Sequence, residues 1–157
     1  MIPVSWSESG LFYATWRDCL KDLNTLSLLD TNNNIALSGI GDTPNYASSP
    51  ATWTSTGEVT GGTNWPTGGI NLATATYVPT LTAVAPGVTL KWDMNDISVA
   101  NTTTTAAAYG CYIYAAGLAP KANIIGVYFG GTGYSTVAGT FAITWNVLGV
   151  MTILMAA

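Results

Sequence analysis

The last nineteen residues, 139–157, constrain this chain most, because they are strongly apolar and carry no charged side chain. From Phe141 to Val147 the large apolar side chains fall at every second position, the period that a pleated strand requires. Residues 146–149 predict a turn, and residues 150–155 form a second apolar run, interpreted as a central strand buried on both faces. This run is far shorter than the roughly 20 residues of a membrane-spanning helix, so no membrane association is expected. The rest of the chain is predicted to fold around this segment.

One amphipathic helix is predicted near the start, over residues 8–24. Ser5 and Glu8 have the Ser-x-x-Glu spacing of a capping box. The stripe that follows recurs at spacings of three and four, and consists of Leu11, Phe12, Thr15, Trp16, Cys19, Leu20 and Leu23. We expect this stripe to pack on a sheet.

Short strands separated by turn residues are predicted over most of the remaining chain. Runs rich in apolar, β-branched and aromatic residues recur about every ten residues, which is typical of antiparallel folds. The predicted strands before the C-terminal segment are 35–40, 57–60, 70–78, 88–92, 97–100, 109–114 and 124–129. Residues 1–157 are therefore predicted to form one mainly β domain, an antiparallel β-sandwich with one N-terminal amphipathic helix.

Residues 41–69 predict a long loop, rich in Ser, Thr, Pro and Gly, that precedes the main series of strands at 70–155. Trp53 and Trp65 lie within it, and large apolar side chains are not typical of a solvated linker. The loop is therefore expected to be ordered, mainly by contact with a neighbouring subunit.

Charge is scarce in this sequence. Charged residues make up 8% of the chain, against about 25% in an ordinary soluble domain. The four cations, Arg17, Lys21, Lys91 and Lys121, are scattered, whereas nucleic-acid binding needs a basic stripe. No nucleic-acid partner is expected. A surface of Thr, Asn, Ser, Gly and Ala has little charge repulsion to keep copies apart, which favours association between subunits.

The two cysteines, Cys19 and Cys111, are predicted to be buried, reduced thiols, because small secreted scaffolds carry more cysteines at tight spacing. Residues 1–4 lack the charged and apolar regions of a signal peptide. The protein is expected to be made and first folded in a cytoplasm.

Residue chemistry predicts no catalytic, cofactor or metal site. The absence of histidine removes the usual general base and the commonest metal ligand. The sequence Asp93-Met94-Asn95-Asp96 lacks the glycine and distal glutamate of a calcium loop, so it predicts a turn. Nothing supports pairing of Glu58 with Asp93 as the two carboxylates of a glycosidase. We expect the protein not to be an enzyme.

The order of several short motifs resembles a family of small virion proteins of tailed bacteriophages, which includes capsid decoration, head-fibre and minor tail proteins. The likeness spans nearly the whole chain, and its specificity lies in the order of the motifs. They are Phe12-Tyr13, Thr43-Pro44-Asn45-Tyr46, Gly57-Glu58-Val59-Thr60-Gly61, Trp65, Gly68-Gly69, Asp96-Ile97-Ser98-Val99-Ala100, the run 106–114, and the ending Gly139-Thr140-Phe141-Ala142-Ile143-Thr144-Trp145-Asn146.

The resemblance implies an accessory structural protein, bound in many copies to the outside of a capsid through apolar contacts and located in the virion. Its partners would be the major capsid protein and copies of itself, and a homotrimer suits the local three-fold positions of a shell. The candidate interface residues are Tyr46, Trp53, Glu58 and Trp65. Two alternatives stay open: a minor tail or tail-tip protein, and a carbohydrate-binding module with Trp53 and Trp65 as its platform.

Overall fold

Antiparallel strands dominate the computed structural model, which describes residues 6–29, 32–72, 76–84 and 89–154. One short helix accompanies them, so the protein is mainly β. The elements in chain order are β1 (Gly10–Leu11), α1 (Tyr13–Leu20), β2 (Asn33–Ser38), β3 (Glu58–Val59), β4 (Ile70–Asn71), β5 (Thr80–Val84), β6 (Thr89–Asp93), β7 (Ile97–Thr102), β8 (Gly110–Ala115), β9 (Ala122–Tyr128), β10 (Gly139–Ile143) and β11 (Met151–Leu154).

The largest sheet has six strands and is centred on β8. Its order is β1-β9-β8-β2-β3, with β4 also paired to β2. All six residues of β8 are buried, because β2 and β9 cover its edges and side chains cover both of its faces. The fold is therefore organised around β8, and the prediction that the chain folds around its C-terminal segment is wrong.

The C-terminal segment is divided between two smaller sheets, β10-β7 and β11-β6-β5. Phe141 and Ile143 are buried at alternate positions of β10, as predicted. The turn is confirmed, since the Gly149 amide donates to the Asn146 carbonyl at 2.7 Å. Among the described residues β11 pairs only with β6, and Leu154 is exposed. The prediction of a central strand buried on both faces is thus wrong, because Thr152 and Leu154, which share one face of β11, are both exposed.

Helix α1 is much shorter than the predicted 8–24. The chain pairs with β9 at β1 before α1 begins, and Phe12 precedes the helix without a side-chain cap. The capping box involving Glu8 is therefore wrong, and its partner Ser5 lies outside the described residues. The helix ends where Asp22 takes a left-handed φ of 57° and the Leu23 amide donates to the Asp18 carbonyl at 2.8 Å.

The predicted apolar stripe of the helix is only partly buried. Phe12 and Thr15 are buried, whereas Leu20 and Leu23 are 86% and 69% exposed. Leu23 lies beyond the early end of the helix, and Leu20 is its last residue.

Most predicted strands are confirmed with ends shifted by one or two residues, namely β2, β3, β6, β7, β8 and β9. The predicted strand 70–78 is wrong beyond β4, since residues 76 and 77 form a turn and 73–75 lie outside the described residues. Strand β5 lies between the predicted strands 70–78 and 88–92 and is an addition to them.

One core of buried side chains draws on all three sheets. The six-stranded sheet contributes Ile35, Ile113 and Ile124, the two-stranded sheet Ile97 and Phe141, and the three-stranded sheet Trp92 and Met151. A second, smaller cluster contains Trp6, Phe12, Ala14, Ala51 and Tyr112.

Candidate functional site

The second cluster is an aromatic layer on the six-stranded sheet, on the side of β8 opposite the main core. Successive side chains of a strand point to opposite faces, and Tyr112 belongs to this layer while its neighbours belong to the main core. The Tyr112 ring centroid lies 5.1 Å from that of Trp6 and 5.8 Å from that of Phe12. The side chains before α1 and in its first turn thus cover this face of the sheet.

Glycines in the sheet make room for these rings. A Cβ atom at Gly110 would lie 2.6 Å from the Trp6 ring and 2.6 Å from the Val127 carbonyl oxygen. One at Gly126 would lie 2.8 Å from the Tyr46 hydroxyl oxygen. The close approach of ring to backbone is therefore possible only with glycine at these strand positions.

Tyr46 attaches the start of the long loop to the sheet. Its hydroxyl donates to the Glu8 carbonyl at 2.8 Å, and its ring centroid lies 5.0 Å from that of Phe12. Burial, followed by the nearby Glu8 carboxylate, raises the pKa of Tyr46 to about 12. Tyr46 is thus a neutral, half-buried anchor, and only part of its ring faces outwards.

Trp53 lies flat against Tyr114 of β8. Their ring centroids are 4.1 Å apart with planes at 6°, and the Lys121 ammonium is 5.1 Å from the Trp53 centroid. The Trp53 amide also donates to the Lys121 carbonyl at 3.0 Å. One ring face is therefore covered by an aromatic side chain, and the ammonium lies over the ring.

Glu58 closes a turn of the loop. Its Oε1 accepts a hydrogen bond from the Gly68 amide at 2.7 Å, and the Tyr114 hydroxyl donates to the Gly68 carbonyl at 2.6 Å. Burial raises the pKa of Glu58, although the amides of Gly68 and Gly69 and the charge of Lys121 act in the opposite direction. The carboxylate is thus held by backbone of its own protomer.

Trp65 is fully buried in the main core. Its ring meets that of Phe141 edge to face at 5.5 Å, and its carbonyl accepts from the Gly61 amide at 2.8 Å. The loop 41–69 is held by contacts within the protomer, so Trp65 does not make the contact with a neighbouring subunit that the sequence predicts for it. With no exposed surface, Trp65 contributes to an interface only by holding the loop in place.

The four sequence-predicted interface residues do not form one patch. Trp53 and Glu58 are connected through Tyr114 and Gly68. Tyr46 packs against the aromatic layer on one side of the sheet, and Trp65 lies in the main core.

Exposed apolar side chains occur at sites that sequence reasoning missed. Residues Val147 and Leu148, in the turn before β11, are 88% and 65% exposed. On α1, Tyr13 and Leu20 are exposed on the helix face that also carries Arg17, whose guanidinium lies 5.5 Å from the Tyr13 centroid. The only signal in the sequence was the apolar residue type, which predicts burial.

Open grooves mark the surface of the described residues, and two of them have volumes of about 520 and 470 Å³. The first lies between β9 and β10 and is lined by Val127, Phe129, Tyr134, Phe141 and Trp145 among others. The second lies beside α1 and includes Asp18, Asp22 and Lys121. Neither is an enclosed pocket with convergent polar groups of the kind that binds small ligands.

The acidic side chains weighed in the sequence have structural partners. Asp93 pairs with Lys91 at 2.6 Å and accepts from the Met94 amide, while Asp96 accepts from the Trp145 amide at 2.9 Å. Within the described ranges, no three His, Cys, Asp or Glu side chains are close enough to hold a metal ion.

The part of the chain that the structure describes contains no helix with the length and hydropathy needed to cross a membrane. Comparison of the chain with protein-family models, with curated proteins and with solved structures gives no match.

Proposed function

We propose that this protein is an accessory structural protein of a tailed-bacteriophage particle, bound in many copies to the outside of the head. The observation that carries the proposal is the exposure of large apolar side chains, such as Leu20 and Val147, on a chain with only 8% charged residues. Contiguous exposed apolar surface is typical of interaction sites, and the adjacent side chains of Val147 and Leu148 provide such a surface before β11. The order of the motifs resembles that of small virion proteins, and this resemblance is the reason for proposing a virus particle as the location.

The proposal includes a β-sandwich as the arrangement of the three sheets. The shared core supports it, because Ile113 of the six-stranded sheet, Phe141 of the two-stranded sheet and Trp92 of the three-stranded sheet belong to one buried cluster. Sheets that bury a common set of side chains are the packing expected of a sandwich.

The mechanism of this role is adhesion without catalysis or a cofactor. The partners are the major capsid protein and copies of the chain itself, and the protein assembles in the host cytoplasm and stays in the virion. Burying exposed apolar surface contributes about 25 cal/mol per Å² before the costs of association are subtracted. Many copies on one shell, each bound by weak contacts, stabilise the particle together.

A minor tail or tail-tip location is the second candidate, because the same family resemblance covers it. The carbohydrate-binding alternative is not favoured, since Trp65 is fully buried and the Trp53 ring is stacked on Tyr114. A sugar platform needs an open aromatic face.

Copy counting on purified virions tests the proposal and separates its two locations. Antibody labelling and quantitative mass spectrometry should find the protein on the head surface, in a number comparable to that of the major capsid protein. A handful of copies at the tail tip would favour the second candidate, and absence from the particle would refute both.

A further inference from the structure

Strand β5 is an edge strand with unusual exposure. Among the described residues it pairs only with β6, in a regular register from Thr80 opposite Asp93 to Val84 opposite Thr89. All five of its residues are exposed. Alternate residues of such a strand direct their N–H and C=O groups away from the sheet, where another strand can form hydrogen bonds with them.

Within the five residues of β5, this edge lacks the usual features that prevent pairing between molecules. Natural edge strands are protected by lysine, proline, a bulge or an inward-pointing charge. Strand β5 reads Thr-Leu-Thr-Ala-Val, and its pairing with β6 contains no register shift. The nearest charges in the register, Lys91 and Asp93 on β6, form an ion pair with each other at 2.6 Å.

The apolar face of the sheet is also left uncovered at β5. Leu81 stands directly opposite Trp92 and therefore shares its face. Trp92 is fully buried, whereas Leu81 is 41% exposed. The core-facing surface thus continues onto β5 beyond the point where the protomer covers it.

We propose that β5 pairs with β5 of a second copy, antiparallel and centred on Thr82, which joins two three-stranded sheets into one six-stranded sheet across a two-fold axis. This pairing specifies the contact between copies in the proposed role. It rests on that role, because only a shell that carries many copies provides the high local concentration that a weak contact needs. A second copy is the favoured occupant because the strand is complementary to itself.

The complementarity follows from the sequence of the strand. Centring on Thr82 places Thr82 opposite its own equivalent, Leu81 opposite Ala83, and Thr80 opposite Val84. No like charges meet, and a Thr–Thr pair is a favourable cross-strand combination. Whichever alternate residues face outwards, the pair gains about four to six backbone hydrogen bonds. Two-fold pairing is also the commonest symmetry of homo-oligomers.

A five-residue edge buries less area than a stable dimer normally needs. The isolated protein is therefore expected to form a weak dimer whose population rises with concentration. Sedimentation equilibrium from micromolar to millimolar protein should show the mass approaching twice that of the chain. A purely monomeric protein over this range would overturn the inference, and a mass approaching three times that of the chain would favour the three-fold assembly instead.

A matched pair of variants identifies the edge. Thr82 and Thr152 are both exposed and stand opposite Lys91, one on β5 and the other on β11. Thr82→Glu brings two carboxylates face to face in the proposed pair and should weaken the dimer about tenfold or more. Thr152→Glu adds the same charge beside the same lysine and should leave the dimer unchanged. Equal effects of the two would contradict the assignment to β5.

Disulfide cross-linking tests the register of the proposed β5–β5 pair directly. Thr82→Cys should form a disulfide between two chains under mild oxidation, because opposed residues of antiparallel strands have the required separation. Thr152→Cys and the wild-type chain, which retains Cys19 and Cys111, are the controls and should stay uncross-linked. Cross-linking through position 152 but not 82 would assign the interface to β11 and overturn the proposal.

These outcomes are separable from those of the proposed function. If purified particles carry many copies but the isolated protein shows no β5 contact, the pairing is wrong and the virion role stands. If the dimer forms as described but the particles lack the protein, the virion role is wrong and the pairing stands.

Discussion

Trp53 and Tyr114 stack face to face at 4.1 Å, which attaches the middle of a long loop to the central strand of the fold. The loop has no regular structure of its own apart from β3. Its order therefore depends on a few side chains, Trp53 and Trp65 above all, and on the hydrogen bonds around Gly68.

Replacing Trp53 tests that dependence. Trp53→Ala removes the stack with Tyr114 and the contact with Lys121, and should lower the free energy of unfolding by about 2 kcal/mol. The loop 41–69 should resist thermolysin in the isolated wild-type protein and become susceptible in the variant. Trp53→Phe keeps a stacked ring and should restore most of the protection. Rapid cleavage of the wild-type loop would show that the protomer does not hold it.

The glycines beneath the aromatic layer give a second prediction. Gly110→Ala places a methyl group 2.6 Å from the Trp6 ring and the Val127 carbonyl oxygen, so overpacking should cost about 1–3 kcal/mol. Gly41→Ala is the control, because a Cβ there meets no atom within 4 Å. Chemical denaturation should separate the two variants, and equal stability would mean that Trp6 does not lie over Gly110.

Sequence patterns predicted the individual strands better than their neighbours in the sheet. The alternating apolar and aromatic residues of β8 and β9 are local signals, and both strands lie close to where they were expected. The pairing of Ile35 with Ile113 joins distant parts of the chain and leaves no local signal. For that reason the sequence predicts a central strand from the most apolar run, at the C-terminus, although its strand β11 pairs only with β6 among the described residues.

The interface residues show the same limit. Trp53 and Trp65 lie in one loop of uniform composition, yet Trp65 is fully buried and Trp53 is only half-buried. Residue type indicates that a tryptophan needs a partner, but not whether the partner lies within the protomer. Leu20 shows the opposite error, because its spacing in the apolar stripe predicts that it packs on the sheet, whereas the structure leaves it exposed.

Glu58 should make stability depend on pH. Burial raises its folded-state pKa above the ordinary value of 4.5, so the folded protein binds this proton more tightly than the unfolded chain does. The resulting stabilisation is fully present below about pH 4.5 and is lost as the pH rises through the raised pKa. Asp42, whose pKa burial also raises, acts in the same direction.

Glu58→Gln removes this titration while keeping an oxygen that accepts from the Gly68 amide. Relative to the wild type, the variant should therefore gain more stability at pH 7 than at pH 4, as measured by urea unfolding across that range. A difference in stability that does not change with pH would show that the Glu58 carboxylate is as easily ionised in the folded as in the unfolded state.

The thiols are predicted to be free and unequal in reactivity. Cys111 is fully buried, as predicted, and burial raises the pKa of its thiol. Cys19 is only half-buried, so the prediction that it is buried is wrong. Since the thiolate is the reactive form, a thiol reagent should label Cys19 first in the native protein. Two thiols should be found after denaturation without reductant, and finding none would indicate a disulfide and contradict the fold.

We propose that uncharged contacts hold the protein on a virus particle, and a high-salt wash tests this attachment most directly. In about 1 M NaCl the screening length falls to roughly 3 Å, which weakens attachment through exposed charges but not through apolar burial or hydrogen bonds. Purified virions washed at that salt should retain the protein at the copy number found in low salt. Its release would show that charges such as Arg17 and Lys21 hold it in place, and would contradict the adhesive mechanism.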